Sequence, residues 1–181
     1  HGGGGGGGRV AVYFGANSFS GTVTARGGAG FGAGGAGTIF TQNTNQPAGG
    51  LVVDNGGRWG TKTVVQSAGG ADLIVRGGAR AAWPGAQSVG SLLVTSNSWL
   101  IFTVNQTLNV LSNATIQAGA NVSAEGAGFS ASQGGVGAGG TSGIGGITMG
   151  GGGGFGGLGA PAQNGAAGGG SYGNLLTPID R

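Results

Sequence analysis

Leu51-Val52-Val53 runs directly into Asp54-Asn55-Gly56-Gly57, and Asp72-Leu73-Ile74-Val75 runs directly into Arg76-Gly77-Gly78. In both, a short apolar run rich in β-branched residues suits an extended strand. The Asp, Asn and Gly that follow tolerate the positive φ of a tight turn. Arg26-Gly27-Gly28 offers the same turn chemistry. Working outward, runs of the same kind are Val10–Phe14, Gly21–Ala25, Thr38–Thr41, Thr63–Val65, Ser91–Thr95, Trp99–Val104, Leu108–Leu111 and Ala114–Ile116. Short strands so closely spaced fit either an antiparallel β-sandwich or a coil of strands stacked as a parallel β-helix. Several runs are almost continuously apolar, and Gly stands beside most of them, which favours the coil and its tight corners. The sequence therefore predicts an all-β solenoid over residues 9–125, with Thr38–Thr41, Leu51–Val53 and Leu92–Val94 as core rungs. The alternative is an antiparallel sandwich with a disordered Gly-rich tail.

Glycine is the dominant residue, 51 of 181. Residues 1–8 are His1 and seven Gly, a linker or contact segment with no side chain to pack. Residues 126–173 are nearly half Gly, carry no charge and scatter single apolar residues such as Phe155 and Tyr172. Such a stretch stays a loop, or it forms extended polyproline II strands in which Gly lets backbones approach closely. Lack of charge favours the ordered form, packed on the β part. Residues 174–181 are expected to lead into a following copy, with Arg181 running on to its His1. Gly2, Gly8, Phe155, Tyr172 and Arg181 are then the expected contacts between copies.

Seven basic and four acidic residues give a net charge of +3. The basic residues are spread singly, unlike the clustered face of a nucleic-acid binder, so no nucleic-acid partner is expected. No apolar run is long enough for a membrane helix, and no Cys is present for a disulfide or a thiolate metal site. Asp54 and Asp72, with Arg58 or Arg76 near, are the one pair that could stack as lyase-like acids; otherwise Asp54 shapes a turn and Asp72 starts a strand. Neither a catalytic residue, a metal nor a cofactor is expected. Asn105, Asn113 and Asn121 begin Asn-x-Ser/Thr triplets spaced by eight, which an unbroken strand would point to one face as glycan acceptors. Trp59, Trp83 and Trp99 are candidate sugar-stacking residues, Trp83 before Pro84 being the one expected in an exposed turn. Thr22/Thr24 and Thr61/Thr63 are the only Thr pairs spaced as an ice-binding array would need.

Together, Gly5–Tyr13, Phe19–Ala25, Gly34–Phe40, Leu51–Gly57, Ala114–Gly126 and Gly170–Gly173 resemble the Gly-rich repeat segments of large secreted or surface proteins of environmental bacteria. That resemblance covers most of the chain and implies a right-handed parallel β-helix and an extracellular structural or adhesive role. The Gly-rich block by itself is similar in composition to the polyproline II bundles of glycine-rich antifreeze proteins and phage adhesins. The expected function is that of a non-catalytic extracellular or cell-surface protein whose copies stack head to tail into a filament. The alternatives are a polysaccharide-binding adhesin module and, third, a degenerate polysaccharide lyase or an ice-binding protein.

Overall fold

The computed structural model describes residues 2–103, 106–127, 141–144, 147–152, 154, 156–163 and 165–171, with the backbone alone over 141–144 and 147–149. These residues hold fourteen strands and no helix: β1 (Arg9–Phe14), β2 (Thr38–Asn43), β3 (Gly50–Asp54), β4 (Thr63–Val64), β5 (Asp72–Arg76), β6 (Arg80–Trp83), β7 (Gln87–Val89), β8 (Leu92–Val94), β9 (Trp99–Phe102), β10 (Leu108–Val110), β11 (Ala114–Ile116), β12 (Asn121–Ser123), β13 (Thr141–Ile144) and β14 (Ile147–Gly150). The chain divides into two units, residues 1–102 with 108–123, and residues 103–107 with 124–181.

The first unit is a parallel β-solenoid. One face stacks β3, β5, β8 and β11; a second stacks β4, β6, β9 and β12; a third stacks β7 and β10. Leu51 pairs with Leu73, Leu73 with Leu92 and Leu92 with Ala114, so successive turns take 22, 19 and 22 residues. In-register stacking puts like beside like: Val53, Val75 and Val94 form a second column inside the first. The three Leu and three Val are buried, as are Val65, Ala81, Val89 and Leu100 from the other two faces. Each Leu or Val so buried contributes about 1.5–3 kcal/mol. Burial alternates along the strands, because successive side chains point to opposite faces. Val52, Ile74 and Leu93 form a half-buried outer row. The continuous apolar runs thus reflect two lined faces of one sheet.

Corners stack as the strands do. Gly77 and Gly78 adopt φ of 63° and 77°, where a side chain would be strained. The Gly77 carbonyl accepts the Gly57 N–H of the turn before at 2.8 Å. Asn97, at φ 58°, holds the same corner one turn on and donates its N–H to the Gly119 carbonyl at 2.8 Å.

Before the first turn the polypeptide does something different. Segments 2–8, 25–30 and 32–37 bond to one another in a triangle, with no strand assigned: Gly4 N–H to Gly32 (2.8 Å), Gly28 N–H to Gly5 (2.8 Å) and Gly34 N–H to Gly28 (3.0 Å). The bonds advance by three residues, since Gly7 donates to Gly35 as Gly4 does to Gly32. Three residues per turn is the period of a polyproline II helix. Gly4 and Gly7 face the backbone of the segment 25–28, where a β-carbon has no room, whereas Gly5 and Gly6 face open space. The buried Asn55 side chain joins this bundle to the solenoid: its Oδ1 accepts the Gly27 N–H at 2.8 Å, and its Nδ2 donates to the carbonyls of Gly34 (3.2 Å) and Arg58 (2.9 Å). Ala33 also bridges in parallel to Gly60, which puts the bundle on the end of the second face.

The second unit repeats the triangle. Gly152 donates to Ala160, Gly159 to Gly169 and Gly169 to Gly152, at 2.8–2.9 Å. β13 and β14 form an antiparallel hairpin closed by Ile144 beside Ile147.

Several expectations change. Strand pairing in the coil is parallel, so the sandwich is excluded. Gly21–Ala25 is not a strand. Arg26-Gly27-Gly28 is not a turn with positive φ; Gly27 lies where the Gly34 carbonyl passes, so its missing side chain serves close approach. Thr38–Thr41 lies in β2, which runs antiparallel to β3 and parallel to β1. It is therefore no rung of the coil but an extension of its first sheet beyond the first turn. β6, β7 and β12 form strands from runs that carry little β propensity of their own, and stacking on neighbours supplies the difference.

Candidate functional site

The solenoid has two ends, and the last turn leaves inward-facing residues partly exposed. At the last turn Ile116 continues the Val94 column and Val122 the Leu100 column, yet Ile116 is 44% and Val122 50% exposed where Val94 and Leu100 are buried. β10, β11 and β12 are the terminal strands of their sheets. At the first turn, the first sheet continues through β2 to β1, and the bundle extends the second face. Against β1 and β2 lies a groove of about 420 Å³ with Tyr13 and Phe40 on its wall and Leu51, Ala68 and Ala71 at its floor. The Tyr13 and Phe40 rings pack at 5.7 Å, tilted by 57°. Arg9 and Gln42, on the same strand face, supply its polar groups.

A corner column connects the two ends. Gly90 donates its N–H to Ala71 (3.0 Å), and Ser112 donates to Gly90 (2.8 Å). Leu111, 71% exposed, therefore projects from the last turn at the corner that floors the groove at the first.

A second surface lies on the corner leading to the second face. Trp59 and Trp99 meet edge to face, with ring centroids 5.3 Å apart and planes at 82°. The Arg80 guanidinium carbon sits 4.7 Å from the Trp59 ring centre. β6 and β9 create this meeting, because Arg80 and Trp99 are direct partners in the ladder. Trp83 does not join them. Parity along β6 turns it inward with Ala81, two residues before it, and the small Ala79 and Ala81 leave room for its indole; it is a fully buried core residue. Its Nε1–H has no partner among the described residues.

Asn113 precedes β11 on the first face, and Asn121 opens β12 on the second, so turns break the common face that a spacing of eight allows. Asn113 is exposed and Asn121 half-buried. Asn105, Phe155, Tyr172, Arg181 and the stretch 174–181 lie outside the described residues. Gly2 and Gly8 have their carbonyls taken within the chain, by the N–H groups of Phe31 (3.0 Å) and Thr38 (3.1 Å).

Asp54 and Asp72 do not converge. Asp54 pairs with Arg76, Nε to Oδ2 at 2.8 Å, and accepts the Gly56 N–H at 2.7 Å. Asp72 sits at the other end of the same ladder, opposite Gly50, and accepts the Ser91 N–H and hydroxyl at 2.7 Å each. Four residues of strand, about 13 Å, separate their positions. Among the described residues no three His, Cys, Asp or Glu gather as metal ligands. Thr22 and Thr24 stand outside any strand, and the Thr63 hydroxyl donates to the Ala36 carbonyl at 2.6 Å. Among the described residues no helix is long and apolar enough to cross a membrane.

No family model, curated protein or solved structure matches this chain.

Proposed function

We propose that this chain is a non-catalytic extracellular structural protein whose solenoid ends stack head to tail into a filament. The carrying observation is the half-exposed inner row of the last turn, Ile116 and Val122, in line with columns that are buried one turn earlier. Unpaired strand edges and uncovered apolar residues at a solenoid end favour a further layer. A second copy, translated along the axis, brings its β1 beside β11. The two strands run in opposite directions within the sheet, so they pair antiparallel. Leu111 of one copy then faces the groove walled by Tyr13 and Phe40 of the next, along the shared corner column. Head-to-tail contacts repeated by translation along the axis close no ring, so the product is open-ended. The resemblance to secreted Gly-rich repeat proteins supports the extracellular setting.

Sedimentation velocity over a concentration series tests this with Leu111→Glu, which buries a charge at the joint while leaving an exposed site in the single chain. The expected result is growing oligomers for the wild type and single chains for the variant. Single chains for both, or equal assembly of both, would overturn the proposal.

A further inference from the structure

The corner bearing Trp59 gathers cations as well as aromatics. Arg58 precedes Trp59 and donates from one guanidinium nitrogen to the Gly27 carbonyl at 3.2 Å. Arg26 lies against Gly56 of the same corner, and Arg80 lies over the Trp59 ring. Arg76 also belongs here, but it is paired with Asp54. That is the only ion pair among the described residues, so Arg26, Arg58 and Arg80 have no carboxylate partner there. Asp72, the next acid along the chain, lies at the far end of the strands and is bonded to Ser91. The corner is thus a positive surface around an indole that is 50% exposed.

Such a surface suits one ligand chemistry. A sugar ring lies with its C–H face on a flat aromatic, and a carboxylate takes paired N–H donors from a guanidinium fork. The cation–π contact with Arg80 and the edge-to-face contact with Trp99 hold Trp59 and Arg80 in place before a ligand arrives, which lowers the ordering cost of binding. A nucleic-acid strand would instead call for cations spaced along a track and several stacking rings. Here one half-exposed indole stands among Arg26, Arg58 and Arg80. We infer that this corner binds an acidic polysaccharide, with a uronate ring on Trp59 and its carboxylate on Arg80 and Arg58. Arg26, Arg58, Trp59 and Arg80 do not line the groove of the proposed joint.

Calorimetric titration of the full chain with polygalacturonate, with neutral dextran and with oligo-dT as comparison probes, tests the inference. Binding of polygalacturonate, weakening as salt is raised, and none of dextran are expected. Trp59→Ala should weaken it about tenfold, the loss of one stacking contact. Arg80→Gln should weaken it by a similar factor, and Arg58→Gln, at an exposed position, serves as the variant least able to disturb the fold. Circular dichroism confirms that each variant is folded. Affinity unchanged in Trp59→Ala and Arg58→Gln, equal binding of dextran, or tighter binding of oligo-dT would overturn the inference, the last by reassigning the corner to nucleic acid.

Discussion

The solenoid and the glycine bundle at its end hold together by opposite means. In the solenoid, Leu51, Leu73 and Leu92 fill the space between faces, and backbones stay a side chain apart across the core. In the bundle, segments 2–8, 25–30 and 32–37 have no side chains between them, and backbone hydrogen bonds every third residue take their place. One region loses stability when atoms are removed, the other when atoms are added. Asn55 joins the two because its amide can serve backbone donors and acceptors that no ladder reaches.

The largest way to break this contrast is on the solenoid side. Leu73→Ala, at a fully buried position, is expected to cost about 4 kcal/mol in urea denaturation, in the upper part of the range for a cavity left in a close-packed core. On the bundle side the sign reverses. Gly34→Ala adds a methyl where the Gly5 carbonyl passes and is expected to cost about 3 kcal/mol. Gly6→Ala, facing open space, should be neutral or stabilise by up to about 1 kcal/mol, through a less flexible unfolded chain. Equal losses from these two glycine variants would remove the bundle from the account. The smallest effect belongs to the corner: Arg76→Gln breaks a pair whose Arg is 53% exposed, and should cost under about 1 kcal/mol, a difference that high salt erases.

The solenoid was legible where an apolar run ends in residues that can turn, as at Leu51–Gly57 and Asp72–Gly78. It was hidden where a strand exists only because its neighbours stack on it, as in Arg80–Trp83, whose Ala residues have little strand preference. Trp83-Pro84 reads as an exposed turn for the same reason: with no strand visible at Arg80–Trp83, nothing in the sequence sets the indole on the inward face of Ala81. The bundle was hidden for a deeper reason. In Gly2–Gly8 every position is the same residue, so no pattern separates Gly4 and Gly7, which face backbone, from Gly5 and Gly6, which do not. Close approach and positive φ both demand Gly, and composition cannot tell them apart, hence the misread turn at Arg26-Gly27-Gly28. The Trp59–Arg80–Trp99 corner did leave a trace. Its residues are 21 and 19 positions apart, close to the turn length that Leu73 and Leu92 define.

The most direct test of assembly through the solenoid ends is electron cryo-microscopy of the purified protein without added ligand. Six strands per copy in the first sheet, at about 4.8 Å each, predict fibres with an axial rise near 29 Å and with β11 of one copy paired antiparallel to β1 of the next. Isolated single chains, or fibres joined through other surfaces with β1 and β11 both left free, would contradict it.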